Sequence, residues 1–118
     1  NKNKIAIMTF YEHTFVGKQD ISEKDVDNIA DSCAKIINKY GKLIKTEKWG
    51  LLNLSHKIRN NKKGIFIHFK FESDEKAVKD IEKKLSVENK VIRYLTVKYK
   101  KLDLNKNYFE ENKNNEKR

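Results

Sequence analysis

The side chains in this chain that are best suited to catalysis or metal binding belong to three histidines and one cysteine, namely His13, His56, His68 and Cys33. Cys33 falls among apolar residues at helical spacing, where a buried thiol stays protonated and unreactive. Strand alternation places His13 and His68 on opposite faces of a sheet, and no CxxC or HxxxH spacing occurs. We therefore expect no catalytic residue, no metal site and no cofactor.

Positive charge is the second feature of the sequence that indicates a function, namely binding. The chain has 118 residues and carries 27 Lys and Arg against 17 Asp and Glu, a net charge of +10. Residues 42–63 hold seven basic residues and one acid, and residues 90–101 hold five basic residues and no acid. Clustered cations bind polyanions because they release the counterions condensed on phosphates. Two such clusters on one small domain predict contact with a nucleic-acid backbone.

The first predicted elements of the fold that positions these clusters are a strand and a helix. Residues 10–16 alternate as a strand does, which places His13 on the face turned toward the core. Ser22 followed by Asp25 resembles a capping box, and apolar residues at steps of three and four then predict a helix. Gly41 follows this stripe, where we expect a left-handed residue to end the helix.

The next two strands form a predicted hairpin that carries the first basic cluster. The second strand begins at Lys42 and extends past Trp49, and Gly50 indicates a bulge or a close backbone approach. Residues 59–63 are the expected connection. Gly64 leads the strand with the strongest alternation, whose predicted core residues are Ile65, Ile67, Phe69 and Phe71.

A second helix, capped by Ser73, and a last strand opening at Asn89 complete the predicted order of strand, helix, strand, strand, helix, strand. This order predicts an α+β fold, a ferredoxin-like split βαβ sandwich with a four-stranded antiparallel sheet and both helices on one face. A small hydrolase with this fold would need a glycine-rich loop after the first strand, and residues 17–20 contain one glycine. The other sheet face is left open, and we expect it to expose Glu12, Thr14, Phe66, His68 and Lys70.

The strand segment KGIFIHF, residues 63–69, loosely resembles the strand motif by which RNA-recognition modules stack bases. Phe66 and His68 would supply the stacking platform. This leaves open an alternative function, a free-standing RNA-recognition-like module that binds single-stranded RNA.

Four blocks, taken in order, resemble the bacterial type of small-subunit ribosomal protein number six. They read FYEHTFV, NKYGKLIKTEKWGLLNLSHKI, KKGIFIHFKFES and NKVIRYLTVKYK, and they lie within residues 8–101. The resemblance implies the ferredoxin-like fold, no enzymatic activity, and binding to the central domain of the small-subunit rRNA. It also implies a small basic protein partner, ribosomal protein number eighteen. The chain departs from the family where Leu51 and Leu52 replace basic residues and His56 replaces a tyrosine.

The resemblance and the charge pattern together predict the site and the domain limits. The residues expected to neutralise rRNA phosphates are Lys48, Lys57, Arg59, Lys62, Lys63, Arg93 and Lys98. Those expected to face the protein partner are Glu12, Phe66, His68, Tyr108 and Phe109. We expect residues 1–7 to be an extension, 8–102 the rRNA-binding domain, and 103–118 a flexible tail with too few apolar residues to fold alone.

The expected location is a ribosome in the cytoplasm, with the choice between a bacterial and an organellar ribosome left open. No run approaches the roughly 20 apolar residues of a membrane span, and the start lacks the apolar stretch of a secretory signal. We therefore expect neither a membrane partner nor a small-molecule substrate.

Overall fold

Four strands share one antiparallel sheet in the computed structural model, which describes residues 8–99. The elements are β1 (Thr9–Lys18), α1 (Glu23–Tyr40), β2 (Gly41–Ile58), β3 (Asn61–Ser73), α2 (Glu75–Ser86) and β4 (Val91–Tyr99). The strand order is β2-β3-β1-β4, with every neighbouring pair antiparallel. β1 and β2 are therefore parallel, with β3 inserted between them. The predicted split βαβ sandwich is confirmed, whereas the extension (1–7) and the tail (103–118) lie outside the described residues.

Both helices cover the same sheet face because their apolar stripes meet its inward-facing side chains. Buried residues of α1 and α2, including Ile37 and Ile81, form one cluster with the inward residues of β1 and β3. Phe15, Phe69 and Phe71 are each at most 1% exposed at its centre. Burying one such ring contributes roughly 1.5–3 kcal/mol, so these three side chains anchor the sheet to the helices.

The helix starts follow local capping chemistry, with one correction to the prediction. The backbone N–H of Asp25 donates to Ser22 Oγ at 3.1 Å, so Ser22 caps α1 as expected. The cap of α2 is Asp74, whose side chain accepts from the backbone N–H of Lys76 at 2.9 Å. The predicted cap, Ser73, is wrong because that residue still pairs within the sheet.

Two glycines shape β2 in different ways. Gly41 has φ of 178°, which is extended backbone, so the expected left-handed helix end is wrong and β2 follows α1 without a loop. A side chain at Gly41 would place its Cβ 2.1 Å from the carbonyl oxygen of Glu72, and this close approach requires glycine. Gly50 has φ of 80° and lies where the register between β2 and β3 shifts, which confirms the predicted bulge.

The β2–β3 connection is shorter than the sequence predicts. Only Arg59 and Asn60 lie between the strands, and both have positive φ, 48° and 65°, as in a type I′ turn. β3 therefore begins at Asn61. β2 is irregular just before the turn, since residues 54–57 lie opposite a single residue of β3.

The last strand begins later than the sequence predicts, at Val91 instead of Asn89.

His13 lies on the helix-covered face, as its alternation predicts. Its Nδ1 is 2.7 Å from Thr96 Oγ1, and the rings of Phe69 and Tyr94 lie 6.4 Å away. Burial, with a smaller effect from nearby His68, lowers the pKa of His13 to about 3. His13 is therefore neutral at pH 7, which fits a packing role.

His13 should make the fold sensitive to mild acid. Because the unfolded chain protonates this residue near pH 6.5 and the folded chain only near pH 3, stability present at neutral pH is lost as pH falls through that window. We expect about 2 kcal/mol of this loss between pH 7 and pH 5. Urea unfolding at both pH values should show a correspondingly smaller loss in His13→Phe.

His56 provides the matched control, since it is exposed in β2. His56→Asn should keep the pH dependence of the parent chain. An equal loss of stability in the parent and in His13→Phe would contradict the assignment of this acid sensitivity to His13.

Candidate nucleic-acid interface

The sheet end that holds the β2–β3 turn concentrates the predicted RNA-binding residues. Five of the seven lie there, all exposed: Lys57, Arg59, Lys62, Lys63 and Arg93. Arg93 belongs to this end because Val16 of β1 pairs with it on one side and with Phe66 on the other. We call these five residues the hairpin-end cations.

Side-chain hydrogen bonds brace the turn against the loop between β1 and α1. Asn61 Nδ2 donates to the carbonyl oxygens of Ile58 and Arg59, at 3.1 and 3.0 Å. Asn61 Oδ1 accepts from the backbone N–H of Gln19 at 2.9 Å, and Gln19 Oε1 accepts from that of Lys62 at 3.2 Å. The backbone beneath the hairpin-end cations is thereby held in place before any ligand arrives.

Lys48 and Lys98, the other two predicted cations, lie elsewhere. Lys48 is in the middle of β2, and its Nζ is 2.8 Å from Asp27 Oδ1 on α1. The hydrogen bond and the charge of Asp27 raise the pKa of Lys48. Lys98 pairs with Tyr11, toward the opposite end of the sheet. The structure does not bring these two residues to the hairpin end.

Two leucines occupy the stretch of β2 where the resemblance predicts basic residues. Leu51 and Leu52 are 49% and 40% exposed. This part of the sheet edge therefore presents apolar surface, and the next basic residue along β2 is Lys57.

The sheet face opposite the helices is more closed than the sequence predicts. The expected exposure is wrong for four residues, whose exposed fractions are 0% for Glu12, 7% for Thr14, 1% for His68 and 4% for Lys70. The indole of Trp49 covers part of this face, with its centroid 4.8 Å from that of His68 and the two planes 15° apart. The bulge at Gly50 adds a residue to β2 at this point, which turns Trp49 onto the sheet.

A polar network lies beneath that indole. His68 Nε2 donates to Glu12 Oε1 at 2.6 Å, and His68 Nδ1 is 2.7 Å from Thr14 Oγ1. Trp49 Nε1 donates to Glu47 Oε1 at 3.1 Å. These bonds fix the imidazole and the indole as one stacked unit.

This arrangement changes the predicted partner surface and weakens the single-strand alternative. Glu12 and His68 are buried within the chain, so neither offers a side chain for outside contact in this arrangement, while Phe66 stays partly exposed. Tyr108 and Phe109 lie outside the described residues. Stacking a base on His68 requires the indole of Trp49 to leave.

The structure also locates the single cysteine and allows a search of the described residues for metal ligands and membrane-spanning helices. Burial raises the pKa of Cys33 to about 12, so its thiol is protonated. Within residues 8–99, no three His, Cys, Asp or Glu side chains are grouped to hold a metal ion. Neither helix in that range is long and apolar enough to cross a membrane.

Comparison with known proteins decides the family. The model of ribosomal protein S6 matches residues 10–98. The chain belongs to the ribosomal protein S6 family. The resemblance identified from the four sequence blocks is thereby confirmed.

Individual S6 relatives support the same assignment. Small ribosomal subunit protein bS6 of Pelagibacter ubique is 43% identical over 103 residues, which cover 86% of this chain and 85% of the relative. The bS6 protein of Rickettsia canadensis is 42% identical over 92 residues, 77% of this chain and 76% of the relative. The crystal structure of 30S ribosomal protein S6 from Thermotoga maritima covers 95% of this chain and 100% of its own, with a TM-score of 0.74 and 21% identity. That structure shares the S6 fold described above.

Breaking the Glu12–His68 pair should destabilise the fold strongly. We expect Glu12→Ala to cost about 2–4 kcal/mol, because a buried imidazole N–H loses its acceptor and the side chain leaves a void. Urea unfolding followed by the fluorescence of Trp49, the sole tryptophan of the chain, measures the loss.

Glu72→Ala is the matched control, since Glu72 is a partly exposed β3 residue. It should change the free energy of unfolding by less than about 0.5 kcal/mol. Similar losses in the two variants would contradict the importance of the buried pair.

Proposed function

We propose that this S6-family protein is a structural subunit of the small ribosomal subunit that binds the central domain of the small-subunit rRNA together with ribosomal protein number eighteen. The observation that carries the proposal is the group of five exposed hairpin-end cations, which lie at the sheet end that holds the braced turn. Family membership supports the ribosomal setting. The protein contributes no chemistry to this assembly and acts by positioning.

The hairpin-end cations suit recognition of an RNA backbone. Each phosphate neutralised by Lys or Arg releases condensed counterions, so binding weakens as salt rises. Each neutralised phosphate contributes about −0.7 to −0.9 to the slope of log affinity against log salt concentration, for single-stranded and double-stranded nucleic acid respectively. Five such contacts therefore predict a slope of about −4. Because the turn is already ordered, little conformational entropy is lost when it meets the RNA.

Cooperation with the protein partner is the second part of the proposal. Two proteins that contact the same RNA and each other bind more tightly together than apart, with coupling of about 1–3 kcal/mol. Thermodynamic linkage requires each protein to raise the affinity of the other by the same factor. Phe66, Tyr108 and Phe109 remain candidate partner contacts.

Filter binding of the central rRNA domain, measured with and without ribosomal protein number eighteen, tests this coupling. Equal affinities in the two measurements would contradict it.

Removing two hairpin-end cations should reduce the salt dependence of rRNA binding. We expect the double variant Lys62→Ala, Lys63→Ala to lower the magnitude of the slope by about 1.4–2 and to weaken binding at physiological salt. The measurement is a filter-binding titration with the central rRNA domain over a salt series.

The control removes the same charge from the helices. Lys35→Ala with Lys76→Ala takes away two exposed lysines, one on α1 and one on α2. If this control lowers the slope as much as the hairpin double variant does, binding responds only to net charge and the proposed interface is wrong.

The turn allows binding and stability to be separated. Arg59 has φ of 48°, a conformation that glycine adopts without strain, so Arg59→Gly should leave stability unchanged or raise it by up to about 1 kcal/mol. The same variant should weaken rRNA binding because it removes a cation.

Asn60→Gly is the matched variant, since Asn60 also has positive φ and carries no charge. It should have a similarly small effect on stability and no effect on rRNA affinity. Urea unfolding and filter binding of both variants check this, and equal rRNA affinities for the two would exclude Arg59 as a contact.

A further inference from the structure

The sheet face without helices has a centre that the strand register defines. Residues paired directly across an antiparallel ladder point to the same side, so the pairing of β4 with β1 and of β1 with β3 gives rows across this face. Two rows form its centre, which we call the open-face patch: Leu95, Thr14 and His68 in one row, and Val97, Glu12 and Lys70 in the other. The patch therefore joins an apolar side on β4 to a polar middle on β1 and β3.

The two charged members of the patch are buried although no helix lies over them. Glu12 is 0% exposed and Lys70 is 4% exposed. Among the residues that the structure describes, nothing donates to the second carboxylate oxygen of Glu12, Oε2, and no carboxylate pairs with Lys70. Buried polar groups in folded proteins ordinarily have partners. The patch therefore has room for one more donor and one more carboxylate.

Apolar side chains flank this polar middle on both sides. On β4, Leu95 is 53% exposed and Val97 is partly exposed. On the β2 side, Trp49 stacks on His68 with the ring centroids 4.8 Å apart, and the indole is itself partly exposed. Exposed apolar side chains beside buried polar groups suit a covering peptide segment, which offers apolar side chains and backbone donors together.

The chain itself continues beside this face. Tyr99, the last described residue, pairs with Phe10 one row beyond the patch. Residues 102–111 then bring four apolar or aromatic side chains, three acids and one base, in the order Leu102, Asp103, Leu104, Lys106, Tyr108, Phe109, Glu110 and Glu111. Ten extended residues span about 33 Å, whereas Leu95 and Tyr99 are only about 13 Å apart along β4. The segment is therefore long enough to turn and cover the patch.

We propose that residues 102–111, here called the strap, fold back over the open-face patch of their own chain. The apolar side chains of the strap pack on Leu95, Val97 and Trp49. One strap carboxylate approaches Lys70, and one N–H or O–H group of the strap donates to Glu12 Oε2. The strap has too few apolar residues to fold alone, so the sheet supplies the surface that it needs. Any outside ligand of this face, a single-stranded base included, must displace the strap first.

Charge favours this segment over other occupants. Residues 1–7 carry two lysines and no acid, so Lys70 repels them on a chain of net charge +10, and a second copy of the chain is repelled in the same way. The carboxylate of Glu12 repels RNA phosphates. The strap, with three acids and one base, has a net charge of −2 and complements the rest of the chain.

The test attaches a nitroxide spin label to the strap of the full chain and measures the paramagnetic broadening of NMR signals. The label is placed on Asn107→Cys, because the native thiol of Cys33 is 0% exposed and does not react with it. We expect strong broadening of the amide signals of Leu95 and Val97 and of the indole N–H signal of Trp49.

Signals on the helix side provide the internal control. Lys39, near the end of α1, and Lys76, near the start of α2, lie at the same sheet end as Tyr99 but on the other face. A strap docked on the patch leaves their signals sharp. A second label, on Asn112→Cys, keeps the strap sequence intact. Equal broadening of the two faces, or none on the patch, with both labels would overturn the proposal.

Removing the aromatic side chains of the strap should uncover Trp49. We expect Tyr108→Ala with Phe109→Ala to abolish the selective broadening and to raise the rate of acrylamide quenching of Trp49 fluorescence about two-fold, since the indole loses its cover. The matched control, Asn114→Ala with Asn115→Ala, makes two substitutions beyond the strap and should change neither measurement. Equal quenching in the two double variants would contradict the proposal.

Two further results would identify other occupants. A label on Asn3→Cys that broadens the patch, where the strap labels do not, would assign the cover to the N-terminal residues and overturn the proposal. Broadening in a mixture of spin-labelled chains and isotope-labelled chains would assign it to a second copy, with the same consequence. Neither result bears on rRNA binding, so the strap can fail while the proposed function stands.

Discussion

The stack of Trp49 on His68 is the interaction on which the exposed surface of this protein depends. A four-stranded sheet with helices on one side ordinarily leaves its other face to solvent. Here one indole stacks on a buried histidine that is hydrogen-bonded to a buried glutamate. Burying such polar groups is tolerated because Glu12 and Thr14 supply hydrogen bonds to the imidazole. With this face partly closed, the exposed cations of the chain stand out at the sheet end that holds the β2–β3 turn.

Periodicity in the sequence was sufficient to predict the element order, the two helix stripes and the inward residues of β3. Those features follow from the spacing of apolar residues, which burial against two helices requires. The closure of the other face could not be predicted in the same way. Alternation tells which side of a sheet His68 occupies, but its burial depends on a bulge at Gly50 that turns Trp49 back over the sheet. Family resemblance does not carry that information either.

The smaller errors have similarly local causes. Arg59 and Asn60 do not have the usual composition of a type I′ turn, so the basic run from Arg59 to Lys63 was interpreted as a loop, although three of its residues belong to β3. Among the predicted cations, charge clustering picked out five that the fold places together at the hairpin end. It failed to separate Lys48, because only the fold places Asp27 of α1 beside β2.

The direct passage from α1 into β2 at Gly41 has a mechanical consequence for the packing of the helix beside the edge strand. With no loop at this joint, the helix and the edge strand are tied together at one end, and the backbone of Gly41 is pressed against that of β3. The helix and the strand cannot separate about that point without breaking sheet hydrogen bonds. The edge strand therefore keeps one fixed orientation against the helix, and any partner that meets this edge of the sheet meets main-chain geometry that exists beforehand.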